Sequence, residues 1–356
     1  MRGPADRGTW TRAFGLALLA LAAVRADALG AAGLPDRLER FRELALSRQR
    51  VLQLDADAPA DAYRELYALL DEEIVESLAT GGPFASAGFL QDRLDAFSDA
   101  WGGTAVGIVG VDRLVVGAFQ LSDAPGASTV RVYGRFRGEP ALLTTLHREG
   151  RPSVYPLVAA PGGAPQFLAA WEGEASGRGT RALRLDLVRQ DGEGVRVVWS
   201  TVDLYADGLL ARWYAVRGTE IRVRYELHYP GWIPGCAGQT EAEDAFRQAP
   251  DTGTFTRVTR THHAAWHREL HSTAARLFDA LGVGDQTALA RLVPDRDLRA
   301  RLPAALAPEA ACDAAEGGAP PRTVSVAATA NRVPWELVFW RSGDGWRLTR
   351  AAPVLQ

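Results

Sequence analysis

Between residues 105 and 227 the hydrophobic residues recur with a period of two, and this alternation most constrains the fold. In the segment 181–189, leucines at every second position would face one side of a strand, and the polar residues between them would face the other. Glycine-containing turns such as Asp191-Gly192 separate the runs, as expected between antiparallel strands. The pattern predicts a central antiparallel all-β domain over residues 104–261.

The sequence does not determine how the strands of this β domain are arranged. The strand-like segments that begin at 167 and 209 have a spacing close to that of propeller blades, about 40–50 residues. The region supplies only three or four such blades, and a twisted sandwich accounts for the same strands. The fold prediction is therefore a sandwich or a partial propeller.

On both sides of the β region, hydrophobic residues recur every three or four positions, which is typical of helices. The spacing is clearest in residues 63–78, within a predicted helical segment over 29–103. Because about 65 residues make a marginal core alone, these helices are expected to pack on a larger body. A long helix is predicted from about 262 to 281, and the chain as a whole is predicted to be an α+β multidomain protein.

Between the β region and the C-terminus, the sequence predicts irregular connections. Residues 229–236 contain two Pro-Gly pairs and predict a loop, whereas the polar residues 239–247 predict a short surface helix or an excursion. Residues 304–322 are rich in alanine, glycine and proline and predict a connector. Three final strands are predicted at 323–328, 335–341 and 346–351.

The first 28 residues have the pattern of a secretory signal peptide. Arginines come first, an apolar run follows at 13–24, and Ala26-Asp27-Ala28 matches the pattern that signal peptidase cleaves. In a helix this run rises about 18 Å, well short of the hydrocarbon core of about 30 Å, so no stable transmembrane anchor is predicted. We expect a mature protein that is secreted or periplasmic.

The charged residues argue against nucleic acid as a partner. The formal net charge is −3, and acidic and basic residues are interspersed, without a basic stripe or a polybasic tract. The chain also contains no lysine. This excludes a Schiff-base lysine, the attachment of pyridoxal phosphate and a phosphate-loop lysine.

Cys236 and Cys312 are the two cysteines of the chain. Two cysteines are too few for a four-cysteine zinc site or an iron–sulfur cluster. In an oxidising compartment they favour one disulfide, which would close a long loop and stabilise the fold by about 4–5 kcal/mol on the chain-entropy model. The alternative is two unpaired buried thiols.

Four of the six histidines lie within residues 262–271. On a helix, His263 and His267 would lie four residues apart on one side, a spacing that lets two imidazoles share a zinc ion. His271 would lie about 12 Å from His263, too far for all three to bind one ion. The candidates for a third ligand are Glu241, Glu243 and Asp244.

Two interpretations of this histidine cluster stay open. The first is a metal site at His263 and His267, with zinc as the cofactor, used for catalysis, sensing or storage. The second is a solvated helix face on which the histidines pack or cap, with no cofactor.

The sequence contains no recognisable catalytic motif. It has neither Gly-x-Ser-x-Gly nor a cysteine beside a glycine-rich turn, and its carboxylates are too scattered to select a glycosidase pair. We therefore predict no catalytic residue, although His147 and His228 are candidates for a site assembled from distant residues. Four tryptophans of the β region fit either a carbohydrate-binding surface or the core, namely Trp171, Trp199, Trp213 and Trp232.

The run ARLFDALGVGDQTALARLV at 275–293 resembles the opening helices of the NTF2-like, or SnoaL-like, cone-shaped α+β superfamily. The segments WELVFW at 335–340 and GWRLTR at 345–350 resemble its terminal strands. The resemblance implies an α+β module over 262–356 whose curved sheet encloses a pocket. Enzymes of the family commonly place an aspartate and a histidine inside the cone. Because no histidine follows His271, that pair is not carried over, and the resemblance favours binding over catalysis.

These observations predict an exported, non-catalytic binding or assembly protein. Its partner would be another protein, or a small-molecule or carbohydrate ligand, held by the β domain or by the pocket of the C-terminal module. The alternative is a secreted hydrolase, metal-dependent or not, whose site lies in or beside the β domain. Bound metal at the histidine pair, or a pocket that joins His228 to acidic residues, would favour that alternative.

Overall fold

The computed structural model describes residues 36–51, 59–103, 105–123, 127–316, 320–343 and 345–354. The predicted signal peptide lies outside the described residues. Within them the fold is mixed α and β, with mostly antiparallel sheets and six α-helices. No helix in the described ranges is long and apolar enough to cross a membrane.

The helices begin and end at residues suited to those positions. Ser86 caps the third helix by accepting a hydrogen bond from the Phe89 N–H, and Gly102 ends that helix in the left-handed conformation. Asp285 and Asp295 cap the two short helices that follow the long C-terminal one. The helices are α1 (Arg37–Val51), α2 (Pro59–Thr80), α3 (Ala87–Trp101), α4 (Ala265–Val283), α5 (Gln286–Leu292) and α6 (Arg296–Arg301).

The described strands form three sheets. The first contains, in spatial order, β1 (Ala105–Val111), β2 (Leu114–Gln120), β3 (Ser128–Phe136) and β4 (Glu139–His147). The second contains β5 (Arg151–Pro156), β6 (Gln166–Ala175), β7 (Arg181–Asp191), β8 (Gly194–Ser200), β9 (Leu210–Arg217), β10 (Glu220–Glu226), β11 (Glu241–Gln248) and β12 (Phe255–His263). The third contains β13 (Ala307–Pro308), β14 (Ala314–Glu316), β15 (Thr323–Ala330), β16 (Val333–Ser342) and β17 (Gly345–Pro353).

The second sheet is one eight-stranded antiparallel sheet and not a series of four-stranded blades. Its order is β12-β11-β10-β9-β7-β6-β5, and β8 pairs with β7 at the side. The expected surface helix or excursion at 239–247 is wrong, because β11 begins at Glu241 and runs through the rest of this segment. The sequence of this strand is mostly polar, but its buried side carries Ala242, Asp244 and Phe246.

The chain divides into two compact units. The first comprises residues 1–108 and 117–145. It includes α1 to α3, all of β3, and β4 except for its last two residues. The second comprises residues 109–116 and 146–356 and includes the eight-stranded sheet, α4 to α6 and the third sheet. The sequence-based boundaries at 104 and 262 follow changes of secondary structure, and as domain boundaries they stay a prediction.

A buried ion pair ties helix α2 to strand β3 in the first unit. The Asp71 carboxylate accepts hydrogen bonds from Arg131 Nε at 2.6 Å and from the Tyr133 hydroxyl at 2.7 Å. The Arg131 guanidinium also lies over the Tyr67 ring, 5.2 Å from its centroid. The side chains of Arg131 and Asp71 are only 10% and 16% exposed, so each charge depends on the other for compensation.

We expect Asp71→Ala to lower the free energy of unfolding by about 3 kcal/mol, because it leaves the Arg131 charge buried without a partner. Urea denaturation followed by circular dichroism measures the change. Asp92→Ala removes an exposed carboxylate from α3 and is the matched control, with an expected effect within about 0.5 kcal/mol. Equal losses in the two variants would contradict the role of the ion pair.

Candidate functional site

Helix α4 begins at Ala265, later than the predicted start near residue 262. His263 still belongs to strand β12, where its backbone pairs with Glu241, and its Nε2 lies 2.9 Å from a Glu243 oxygen. The helical spacing expected for His263 and His267 is therefore wrong, because the β-ladder uses the backbone of His263. Zinc binding by this pair stays a prediction.

The four-residue spacing applies one turn later, to His267 and His271 on α4. Their rings stack with centroids 4.6 Å apart and planes inclined by 28°. The side chains are 4% and 10% exposed. Two imidazoles on the same face of a helix are thus buried together, as side chains four residues apart allow.

Both imidazoles face the carboxylate of Asp313. The Nε2 atoms of His267 and His271 lie 3.0 Å and 2.7 Å from Asp313 Oδ2. Burial alone would raise the pKa of Asp313, but the hydrogen bonds from the two histidines outweigh it and hold this pKa below its usual value. The Asp313 side chain is 5% exposed, and its other oxygen, Oδ1, is buried without a hydrogen-bond partner.

The neighbours of Asp313 fix its position from both sides. Cys312 forms a disulfide with Cys236, which confirms the predicted bridge. Ala314 begins β14 and pairs with Ser325 of β15. The predicted connector at 304–322 therefore contains short paired strands. Asp313 lies between the disulfide at Cys312 and the strand β14, which fix the backbone on its two sides.

The predicted Pro-Gly loop carries the other half of the disulfide. Gly231 and Gly235 have φ values of +87° and +99°, the conformation that a type II turn requires after proline. The Gln239 side chain closes the loop, because it accepts a hydrogen bond from the Ile233 N–H and donates one to the Ile233 carbonyl, both at 2.7 Å. Cys236 therefore lies in a loop that the Gln239 side chain holds in place.

Tyr229, at the start of this loop, contacts the outer nitrogen of His267. Its hydroxyl lies 2.7 Å from His267 Nδ1 and accepts a hydrogen bond from the Thr240 N–H at 3.0 Å. Burial raises the pKa of Tyr229, so the hydroxyl keeps its proton at neutral pH. The Thr240 hydroxyl also accepts from the Arg268 N–H and donates to the Ala264 carbonyl, which replaces the side-chain cap that Ala264 cannot provide.

The carboxylates of β11 that the sequence offered as further ligands are engaged elsewhere. Glu241 forms ion pairs with Arg212 and Arg224. Asp244 is fully buried and accepts two hydrogen bonds from Arg260, each of 2.7 Å. Burial alone would raise the pKa of Asp244, but the hydrogen bonds from Arg260 and from a tyrosine outweigh it and lower this pKa. Both residues therefore stabilise the sheet.

His267, His271 and Asp313 are the group of potential metal ligands that the described part of the chain brings together. One ligand atom from each lies within 4.8 Å of the others. The sequence pointed to His267 but not to the other two. His271 could have been found from its spacing of four residues from His267. For Asp313 the only signal in the sequence was its position next to Cys312.

A mostly apolar pocket of about 290 Å³ adjoins this cluster and has His271 in its wall. Helix α4, the loop at 230–233, the segment 308–310 and strand β15 enclose it. Glu309 is the other charged or titratable residue of the lining. The apolar walls include Trp232, Ile233, Ala274, Ala275, Phe278 and Val326.

The other candidate residues from the sequence lie outside the cluster of His267, His271 and Asp313. Trp171 is buried in the core, and the ring of Trp199 packs against Phe246. The ring of His228 packs against that of Trp232, with centroids 4.1 Å apart and planes inclined by 35°. His228 also lines a second cavity, of about 600 Å³, which shares Pro230 and Ala275 with the pocket beside His271. The lining of this second cavity contains three arginines and no carboxylate.

Comparisons with known proteins give no family for this chain. No family model matches it, and no curated protein matches it significantly. It is similar to the crystal structure of a protein from Lactobacillus plantarum, with 10% sequence identity over 69% of each chain and a TM-score of 0.20. A likeness this weak carries no argument about fold or function.

We expect Gly231→Ala to be strongly destabilising, because an added Cβ would lie 1.9 Å from Nδ1 of His271. The positive φ costs about 1–2 kcal/mol for a residue other than glycine, and the overlap adds about 1–3 kcal/mol. Urea denaturation measures the sum. Gly238→Ala is the matched control, because its φ of +74° is similar while its Cβ would meet only ordinary contacts. Equal costs would contradict the close approach to His271.

Removing the disulfide with Cys236→Ala/Cys312→Ala should lower the free energy of unfolding by about 2–5 kcal/mol, because the bridge joins residues 76 apart in sequence. Unfolding curves with and without reductant measure the effect. The reduced native chain should approach the double variant, which should not respond to reductant. A reductant effect of the same size in the double variant would contradict the assignment.

Proposed function

We propose that this protein is exported and binds a small, mostly apolar ligand without transforming it, in the pocket beside His271. The observation that carries the proposal is the pocket itself. Its volume of about 290 Å³ is near the lower end of the range for ligand sites, about 300–1,000 Å³. Apolar walls with a few polar groups are typical of such sites, and here His271 and Glu309 would orient the ligand.

The packing behind the pocket supports a preformed site. Leu277 of α4, Val324 of β15 and Phe339 of β16 are fully buried in one core cluster. This core holds the helix against the third sheet, so the walls that α4 and β15 contribute do not depend on a ligand for their positions. A preformed site loses less conformational entropy on binding.

The succession of helices α4 to α6 followed by an antiparallel sheet supports the proposal that residues 262–356 form an NTF2-like module. That resemblance implies a pocket enclosed by a curved sheet. The ligand site proposed here is lined by residues of both α4 and β15.

Export is supported by the disulfide between Cys236 and Cys312. Such bonds form and persist mainly in oxidising compartments outside the cytoplasm. The signal-peptide pattern in the first 28 residues points the same way. We propose a secreted or periplasmic location.

A secreted hydrolase is the second candidate function, and one observation favours it. The imidazole of His271 lies in the pocket wall and is held by the Asp313 carboxylate, an arrangement that suits a general base. Turnover of chromogenic esters that is lost in His271→Ala, while the variant stays folded, would favour this candidate over simple binding.

Titration with the neutral fluorescent probe N-phenyl-1-naphthylamine tests the binding proposal. We expect saturable binding of one probe per chain, because the probe is apolar and small enough for the pocket. Ala275→Phe fills the pocket from α4 and should weaken binding by at least tenfold. Val283→Phe adds the same ring at the exposed end of α4 and should leave binding unchanged.

Thermal unfolding of both variants accompanies the titration, so that a loss of binding is interpreted only in a folded protein. Equal binding by the native chain and the folded Ala275→Phe variant would contradict the pocket. Absence of saturable binding by the native chain would contradict an apolar ligand site.

A further inference from the structure

Three ligand-type side chains in the second unit converge on one point. The Nε2 atoms of His267 and His271 lie 3.0 Å and 2.7 Å from the same oxygen of Asp313, and one donor atom of each residue lies within 4.8 Å of the others. Donor atoms around a tetrahedral zinc ion are about 3.3 Å apart when the bonds are about 2.0–2.1 Å long. Small outward movements of the three groups would therefore admit an ion.

The hydrogen bonds among these residues leave the cluster incompletely satisfied. Both histidines use the same oxygen of Asp313, Oδ2, while Oδ1 is buried without a partner. A buried carboxylate oxygen without a partner is costly. A cation bound beside the carboxylate would provide the charge compensation that this oxygen lacks.

The outer nitrogen of His267 already has the kind of contact that metal-binding histidines make. Its Nδ1 lies 2.7 Å from the Tyr229 hydroxyl, whose oxygen also accepts the Thr240 N–H. When Nδ1 carries the proton and donates it to this oxygen, Nε2 is left with a lone pair for a metal. Such outer contacts fix the tautomer and the ring orientation of metal ligands.

We propose that His267, His271 and Asp313 bind one divalent transition-metal ion, with zinc as the best match. Two imidazole nitrogens and one carboxylate oxygen suit zinc, and three protein ligands leave a coordination position open. The three ligands are rigidly placed, since α4 carries both histidines and the disulfide and β14 flank Asp313. The site goes beyond the proposed ligand pocket, although His271 belongs to both.

Zinc binding to the untagged chain, freed of metal with a chelator, tests the proposal by competition with a chromophoric indicator. We expect one zinc per chain. His271→Ala and Asp313→Asn should each weaken binding by at least 100-fold, and Tyr229→Phe should weaken it by about 10–100-fold. His263→Ala is the matched control and should bind as the native chain does, because His263 contacts Glu243 on β11.

Cobalt(II) provides a readout in the native chain that does not depend on the folding of variants. We expect visible absorption bands of a four- or five-coordinate site without a thiolate transition, and hyperfine-shifted imidazole resonances from two histidines. The same spectrum is expected from His263→Ala. Thermal unfolding shows whether each ligand variant is folded before its zinc affinity is compared.

Three results would overturn the proposal. The first is a native chain that binds neither zinc nor cobalt at 100-fold molar excess. The second is a site that His263→Ala abolishes while a folded His271→Ala variant retains it, because this would place the metal at the pair suggested by the sequence. A cobalt spectrum with only one coordinated imidazole would also contradict the assignment.

Discussion

The site in the second unit depends on how the carboxylate of Asp313 is kept inside the protein. A buried carboxylate needs partners, and His267 and His271 supply them from one face of α4. Its backbone is held by the disulfide at Cys312 and by the pairing of β14 with β15. The position of α4 depends on the same region, because Thr240, four residues beyond Cys236, caps the first turn of that helix.

His271 connects the polar cluster to the apolar pocket. One nitrogen of its ring contacts Asp313, while the ring also forms part of the pocket wall. Gly231 approaches this ring so closely that a side chain has no room there. The Pro-Gly turn, the disulfide and the helix therefore act together, and a change in any of them would alter both the cluster and the pocket.

Much of the fold could be predicted from local patterns. Strand β15 is buried in strict alternation, whereas β7 alternates in sequence but is buried continuously over residues 185–188, where Asp186 is also buried. In β5, Pro152 and Pro156 argue against a strand at the level of the sequence, although prolines are tolerated at the edge of a sheet, where β5 lies. Strand β11 was missed because it buries Asp244, whose charge is compensated by Arg260 on the adjacent strand.

The sequence by itself determined the alternation of the strands, the Pro-Gly turns, the spacing of the histidines and the two cysteines available for a bridge. These features depend on neighbouring residues or on composition, so they can be read locally. Only the tertiary structure decided that His267 lies beside His271 and not beside His263. The reason is that His263 pairs within β12, so α4 begins only at Ala265. Likewise, only folding brings Asp313 to His271, since 42 residues separate them in sequence and no local pattern encodes that contact.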